Sequence, residues 1–333
     1  MIKENRNNTI DFLKFFAMIC VVWIHVEVPL VNKLNNTSVY LVRNALDWAV
    51  PYFFAASGFL LYNKRPEQVF KYALKIFSLY ISSSVILYIL RVIIIVINSI
   101  IYGKSIIHPI ISYTKNINLT NLIKGNAISG QLWFLMSLVI SSLIFGTLLY
   151  FFSYRLILIL SIIFQSLSVI GIFNVSILQY AEGFTLGLVW LSLGAYIHSK
   201  DFMHLNKKLY CILPLVFVFY VFENTIINSN YDWVFLTFLT GMIIYICKIK
   251  NIKASYVTKL GALSIGPYIL HLGVYSIITN INSWFSLGYK DTSISFILFA
   301  IFICILISYL IWTPLNKYLI KPIERCFFNF FDL

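Results

Sequence analysis

The stretch IDFLKFFAMICVVWIHVEVPLV, residues 10–31, decides the fold. It is long enough to cross a bilayer as a helix, which takes about 20 apolar residues. Its charged and ionisable residues are confined to Asp11, Lys14, His25 and Glu27, so it lacks the broad polar face of a helix on a soluble core. A basic start precedes it. The segment is too long for the hydrophobic region of a signal peptide and shows no small-residue cleavage motif, so it reads as a retained first span.

The rest of the chain agrees. Of 333 residues, 60% are hydrophobic and 11% charged, against about 45–50% and about 25% in soluble domains. So few charges cannot cover a soluble protein of this size, and the bilayer must be the solvent for most of the chain. The composition also excludes disorder and a small disulfide scaffold. Cys20, Cys211, Cys247, Cys304 and Cys326 are scattered, without a CxxC or a Cys/His cluster, and read as small apolar fillers with no metal site.

Apolar stretches near 10–31, 38–62, 76–101, 131–152, 156–175, 177–198, 209–226, 232–247, 260–281 and 293–315 predict about ten transmembrane helices. With the N-terminus inside, seventeen of the 25 Lys and Arg residues fall in cytoplasmic segments and six in outer ones. That asymmetry follows the positive-inside rule and places both termini in the cytoplasm. The formal charge of +13 thus speaks first of topology and anionic lipid, not nucleic acid. The expected fold is all-α and polytopic, a single transmembrane domain over 1–333 with no appended soluble domain. The longest outer loop, about 102–130, is polar and reads as a lid or as a plain connector.

A charge within the hydrocarbon costs about 2.5–3.5 kcal/mol on insertion scales. Asp11 and Lys14, three apart, form a local pair near the cytoplasmic boundary. Lys14 and His25 are eleven apart, close to three helical turns, so they share a face about 16 Å apart. That spacing fits a polar stripe lining a cavity. It fits equally an interfacial lysine and a histidine bonded to a neighbouring helix. Asp47 lies at a depth similar to that of His25 and is placed to accept a bond from its ring and fix its tautomer. The alternative is an Arg43–Asp47 pair within one helix. Arg91, Glu182 and Glu223 are further charges in or near spans. His271 sits mid-span after Pro267, whose missing N–H loosens the helix there; it reads as a site residue or as a packing bond. Lys71 and Lys75, at i,i+4 near Lys64 and Arg65, present one basic face to anionic groups, either donor phosphates or lipid headgroups.

Several segments, in order, resemble acyltransferase family 3, a group of bacterial integral membrane enzymes. RNNTIDFLKFFAMICVVWIHVEVP looks like its first span, with an Asp and then a basic residue ahead of a His. PYFFAASGFLLY resembles its second-span signature, GQLWFLMSLV its Leu-Trp-Phe motif, and GFTLGLVWLSLGAYI and SIGPYILHL its later, weaker signatures. The resemblance implies transfer of an acyl group, often acetyl, from cytoplasmic acyl-CoA to a carbohydrate or cell-wall acceptor, in the bacterial cytoplasmic membrane. It aligns His25 with the family's histidine, Lys14 with its usual arginine, and Lys71 and Lys75 with its loop arginines. Lysine lacks the planar fork that grips phosphate in two bonds, so either the donor contacts are weaker or different here or this member has moved away from acyl transfer.

On this reading His25, with Asp47, serves as general base or proton relay. Lys14, Lys71 and Lys75 hold the donor phosphates, and Gln131, Trp133 and His271 contact the acceptor. Trp133 also suits an interfacial anchor. Any second transfer step outside the cell would need a separate extracytoplasmic partner. The rival class is a transporter or exporter using the same polar residues as a permeation path or proton relay.

Overall fold

The computed structural model describes residues 7–34, 37–170, 183–200, 206–222 and 233–330. Within them every regular element is helical: α1 (Asn8–Val26), α2 (Val28–Leu34), α3 (Thr37–Leu46), α4 (Ala49–Leu61), α5 (Pro66–Ile101), α6 (Ile107–Lys115), α7 (Leu119–Ile123), α8 (Trp133–Leu148), α9 (Tyr154–Val169), α10 (Gly183–Ser199), α11 (Asn206–Phe222), α12 (Trp233–Ile249), α13 (Tyr256–Ala262), α14 (Ile265–Trp284), α15 (Ile294–Leu315) and α16 (Lys321–Phe330).

Each expected apolar stretch contains helix. Four helical stretches, Asn8–Val26, Pro66–Ile101, Gly130–Leu148 and Ile294–Asn329, are long and apolar enough by themselves to cross a membrane, and α13 with α14 makes a fifth as a pair bent by 74°. The expected 38–62 span is broken at Asp47–Trp48 into α3 and α4. The expected boundary between the 156–175 and 177–198 spans lies outside the described residues, as do Glu182 and Glu223. The 102–130 loop is partly ordered, since α6 and α7 occupy it.

Side-chain exposure shows which faces meet lipid. Ile81, Val85, Ile89 and Ile93 stand out from α5 at four-residue spacing, and Ile294, Leu298, Phe302, Leu306 and Leu310 do the same on α15. Such apolar rows are stable only against hydrocarbon. The apolar helices make this a multi-pass membrane protein.

Interior contacts rely on small residues, which let helix backbones approach where lipid supplies no hydrophobic drive. α4 and α10 form the most extensive pair. A Cβ on Gly58 would lie 1.8 Å from the Leu191 carbonyl oxygen, and one on Gly194 would lie 1.9 Å from that of Ala55. Only glycine permits this crossing at both points.

α1 is fixed at its start. Asn7 caps it by accepting from the Ile10 N–H at 3.1 Å. Asn7 Nδ2 donates to the Cys247 carbonyl at 2.6 Å, and Thr9 Oγ1 donates to that of Lys250 at 2.5 Å. Tyr52 Oη, fully buried on α4, donates to the Ile10 carbonyl at 2.8 Å. The first turn of α1 is thereby tied to α4 and to the end of α12, which sets the rotation of the whole helix.

Candidate functional site

α1 is unbroken from Asn8 to Val26, so Lys14 and His25 do share a face. The face is not polar between them. Met18 and Val21, which lie on it, are buried in packed apolar clusters. The expected stripe is therefore polar only at its ends, because the neighbouring helices fill its middle with hydrocarbon.

At the first end, Lys14 Nζ lies 3.8 Å from Asp11 Oδ1, the local pair expected from their spacing. At the second end, half-buried His25 meets His271 of α14, with ring centroids 5.1 Å apart and planes inclined by 35°. α14 begins at the 74° bend and carries Pro267 in its first turn. His271 is fully buried. Its Nδ1 approaches the Pro267 carbonyl at 3.0 Å and the Tyr268 carbonyl at 2.7 Å. Carbonyls only accept, so Nδ1 must carry the hydrogen. In the neutral ring Nε2 then holds a lone pair, and this atom is buried with no partner among the described residues.

The chain from the polar loop completes this end. Gln131 is fully buried, its Nε2 donating to the Ile269 carbonyl at 2.9 Å and its Oε1 accepting from Ser129 Oγ at 2.5 Å. Tyr268 Oη donates to the Gln131 carbonyl. Gln131 thus anchors the segment before α8 onto the turn of α14 that carries His271. Trp133 stands half-buried at the start of α8, near Lys124 and Ser137.

Asp47 lies in the turn between α3 and α4, within electrostatic range of Cys20. It has interaction partners of its own there. The second span breaks at this turn. Arg43 lies within electrostatic range of both His25 and Glu27. Buried Glu27 accepts from Trp23 Nε1 at 2.7 Å, an i,i+4 contact whose spacing was visible in the sequence.

Lys71 and Lys75 are exposed on the first turns of α5, and Lys75 Nζ lies 3.4 Å from Glu324 of α16. They stand apart from the histidine pair. Tyr268 and Ser129 escaped the sequence reading, because neither carries a charge or a motif that marks its role.

Among the described residues no group of three or more His, Cys, Asp or Glu side chains is placed to hold a metal. No curated protein and no solved structure matches the chain. A family model described as an acyltransferase domain matches residues 7–313, a range that contains α1, both histidines, Gln131 and the basic turns of α5. The chain therefore belongs to acyltransferase family 3 and is a membrane acyltransferase.

Proposed function

We propose that the protein transfers an acyl group, acetyl being the simplest, from cytoplasmic acyl-CoA to a hydroxyl of a carbohydrate or cell-wall acceptor. We place it in the bacterial cytoplasmic membrane, with ten crossings and both termini inside. The observation that carries the reading is the juxtaposition of His25 and His271 within a chain of this family. Family membership supports acyl transfer over the transport reading.

In this reaction the acceptor hydroxyl oxygen attacks the thioester carbonyl, and a C–O bond forms. His25 takes the hydroxyl proton as the bond forms, on the ring nitrogen that carries a lone pair. The C–S bond then breaks, and the leaving thiolate takes up the proton. His271, with Nδ1 committed to two carbonyls, offers Nε2 as an acceptor beside the His25 ring. It is a positioning residue in this scheme. The cluster of Lys64, Arg65, Lys71 and Lys75, the last three exposed, supplies positive charge for donor phosphates. Met18 closes the direct line along α1, so transfer requires this unbranched and adaptable side chain to swing aside.

The test uses inside-out membrane vesicles from cells making the protein, supplied with radiolabelled acetyl-CoA. Label should enter the carbohydrate or cell-wall fraction only when the protein is present. Equal labelling in vesicles without it would overturn the reading.

A further inference from the structure

Arg91 takes no part in the chemistry above, yet it is a full charge on an otherwise apolar stretch of α5. It lies sixteen residues beyond Lys75, about 24 Å along the helix. With Lys75 at the inner boundary and a hydrocarbon core of about 30 Å, Arg91 stands near the outer headgroup level. A cavity of about 220 Å³ opens beside it, between α5, α6 and α14. Its polar groups are Arg91, Tyr113, Ser129 and Ser276, and Leu87, Leu90 and Ile94 form an apolar wall.

The guanidinium is poorly matched by the protein. Its Nη1 reaches Ser276 Oγ at 3.4 Å, and its carbon lies 6.0 Å from the centre of the Tyr113 ring. No carboxylate among the described residues pairs with it. Tyr113 is itself fixed, its hydroxyl donating to the Ile128 carbonyl at 2.8 Å and its ring stacked on Tyr88. Ser129 on the opposite rim is held by Gln131. The walls are therefore preformed, and the exposed guanidinium at their edge has no carboxylate beside it among the described residues.

We propose that this cavity is a binding site for an anionic group, a phosphate or a carboxylate, gripped by Arg91 with the Ser276 hydroxyl beside it. An arginine fork suits such oxygens through two parallel hydrogen bonds. The group has two sources at this depth: the phosphate of an outer-leaflet lipid, or an acidic substituent on a carbohydrate. The site faces α5, on the side of α14 away from His25. Its occupancy therefore stands or falls separately from the acyl-transfer reading.

The experiment compares wild type, R91Q, R91K and S276V in phosphatidylcholine nanodiscs. One arm adds phosphatidylglycerol and reads lipid retention by native mass spectrometry. The other titrates glucose 1-phosphate and glucuronate and reads the thermal midpoint. Wild type should take up at least one probe, R91Q should bind it about tenfold or more weakly, and R91K should fall between. S276V keeps the charge and narrows the cavity, so it should also weaken binding, and it keeps the test decisive where R91Q folds poorly. Retention of phosphatidylglycerol alone assigns the site to lipid, and a shift with the sugar anions assigns it to a carbohydrate. Wild-type binding in either R91Q or S276V, or no probe bound by wild type, would overturn the proposal.

Discussion

At one end of α1, Lys14 is held by Asp11 of the same helix, 3.8 Å away; at the other, His25 lies against His271, delivered from near the opposite end of the chain. The first contact follows from an i,i+3 spacing and would form on any helix with this sequence. Its two side chains are largely covered, Asp11 being buried, and at 3.8 Å the contact is a long one. The second needs the α13–α14 bend, the Pro267 carbonyl and the Gln131 anchor all in place. A contact assembled from so many distant parts is where a fold invests specificity. The basic end is held by local contacts, and the histidine end has the features of a fixed reaction centre.

That contrast can be broken by substitution. His25→Ala should lower acyl transfer by about 10²–10⁴-fold, the usual span for a general base, with protein still inserted in the membrane. His271→Ala should cost about 10–100-fold, the range for losing a hydrogen bond to a charging group, and should act on kcat with the donor KM unchanged. A rise in donor KM instead would move His271 from the reaction centre to the binding face. Gly58→Val attacks the scaffold that serves both ends. Its branched side chain meets the Leu191 carbonyl, and overpacking of this kind costs about 1–3 kcal/mol, read as a lowered thermal midpoint in detergent. Glu324→Gln should have the smallest effect. Freeing Lys75 from a pair worth under about 1 kcal/mol should lower the donor KM by no more than about fivefold.

The sequence displayed the helices because apolar length is local, and the Lys14–His25 alignment because helical period is local. The Asp11–Lys14 pair was legible for the same reason. Asp47 as the partner of His25 was inferred from depth alone, and depth carries no azimuth; the break of the second span at Asp47–Trp48 is likewise invisible to a count of apolar residues. The continuity of the α1 stripe failed on Met18 and Val21, because whether an apolar residue lines a cavity or plugs it depends on the helices opposite. Gln131 was noticed for its motif, but its role as a strut onto α14 rests on backbone carbonyls, which no side-chain pattern announces. The tautomer of His271 was likewise hidden until the Pro267 and Tyr268 carbonyls were placed.

The proposed chemistry depends above all on His25 accepting a proton during acyl transfer. The direct measurement gives radiolabelled acetyl-CoA to vesicles holding equal amounts of wild-type and His25→Ala protein and counts label in the carbohydrate and cell-wall fractions. Label is expected with wild type and background counts with the variant. Undiminished labelling by the variant would contradict it.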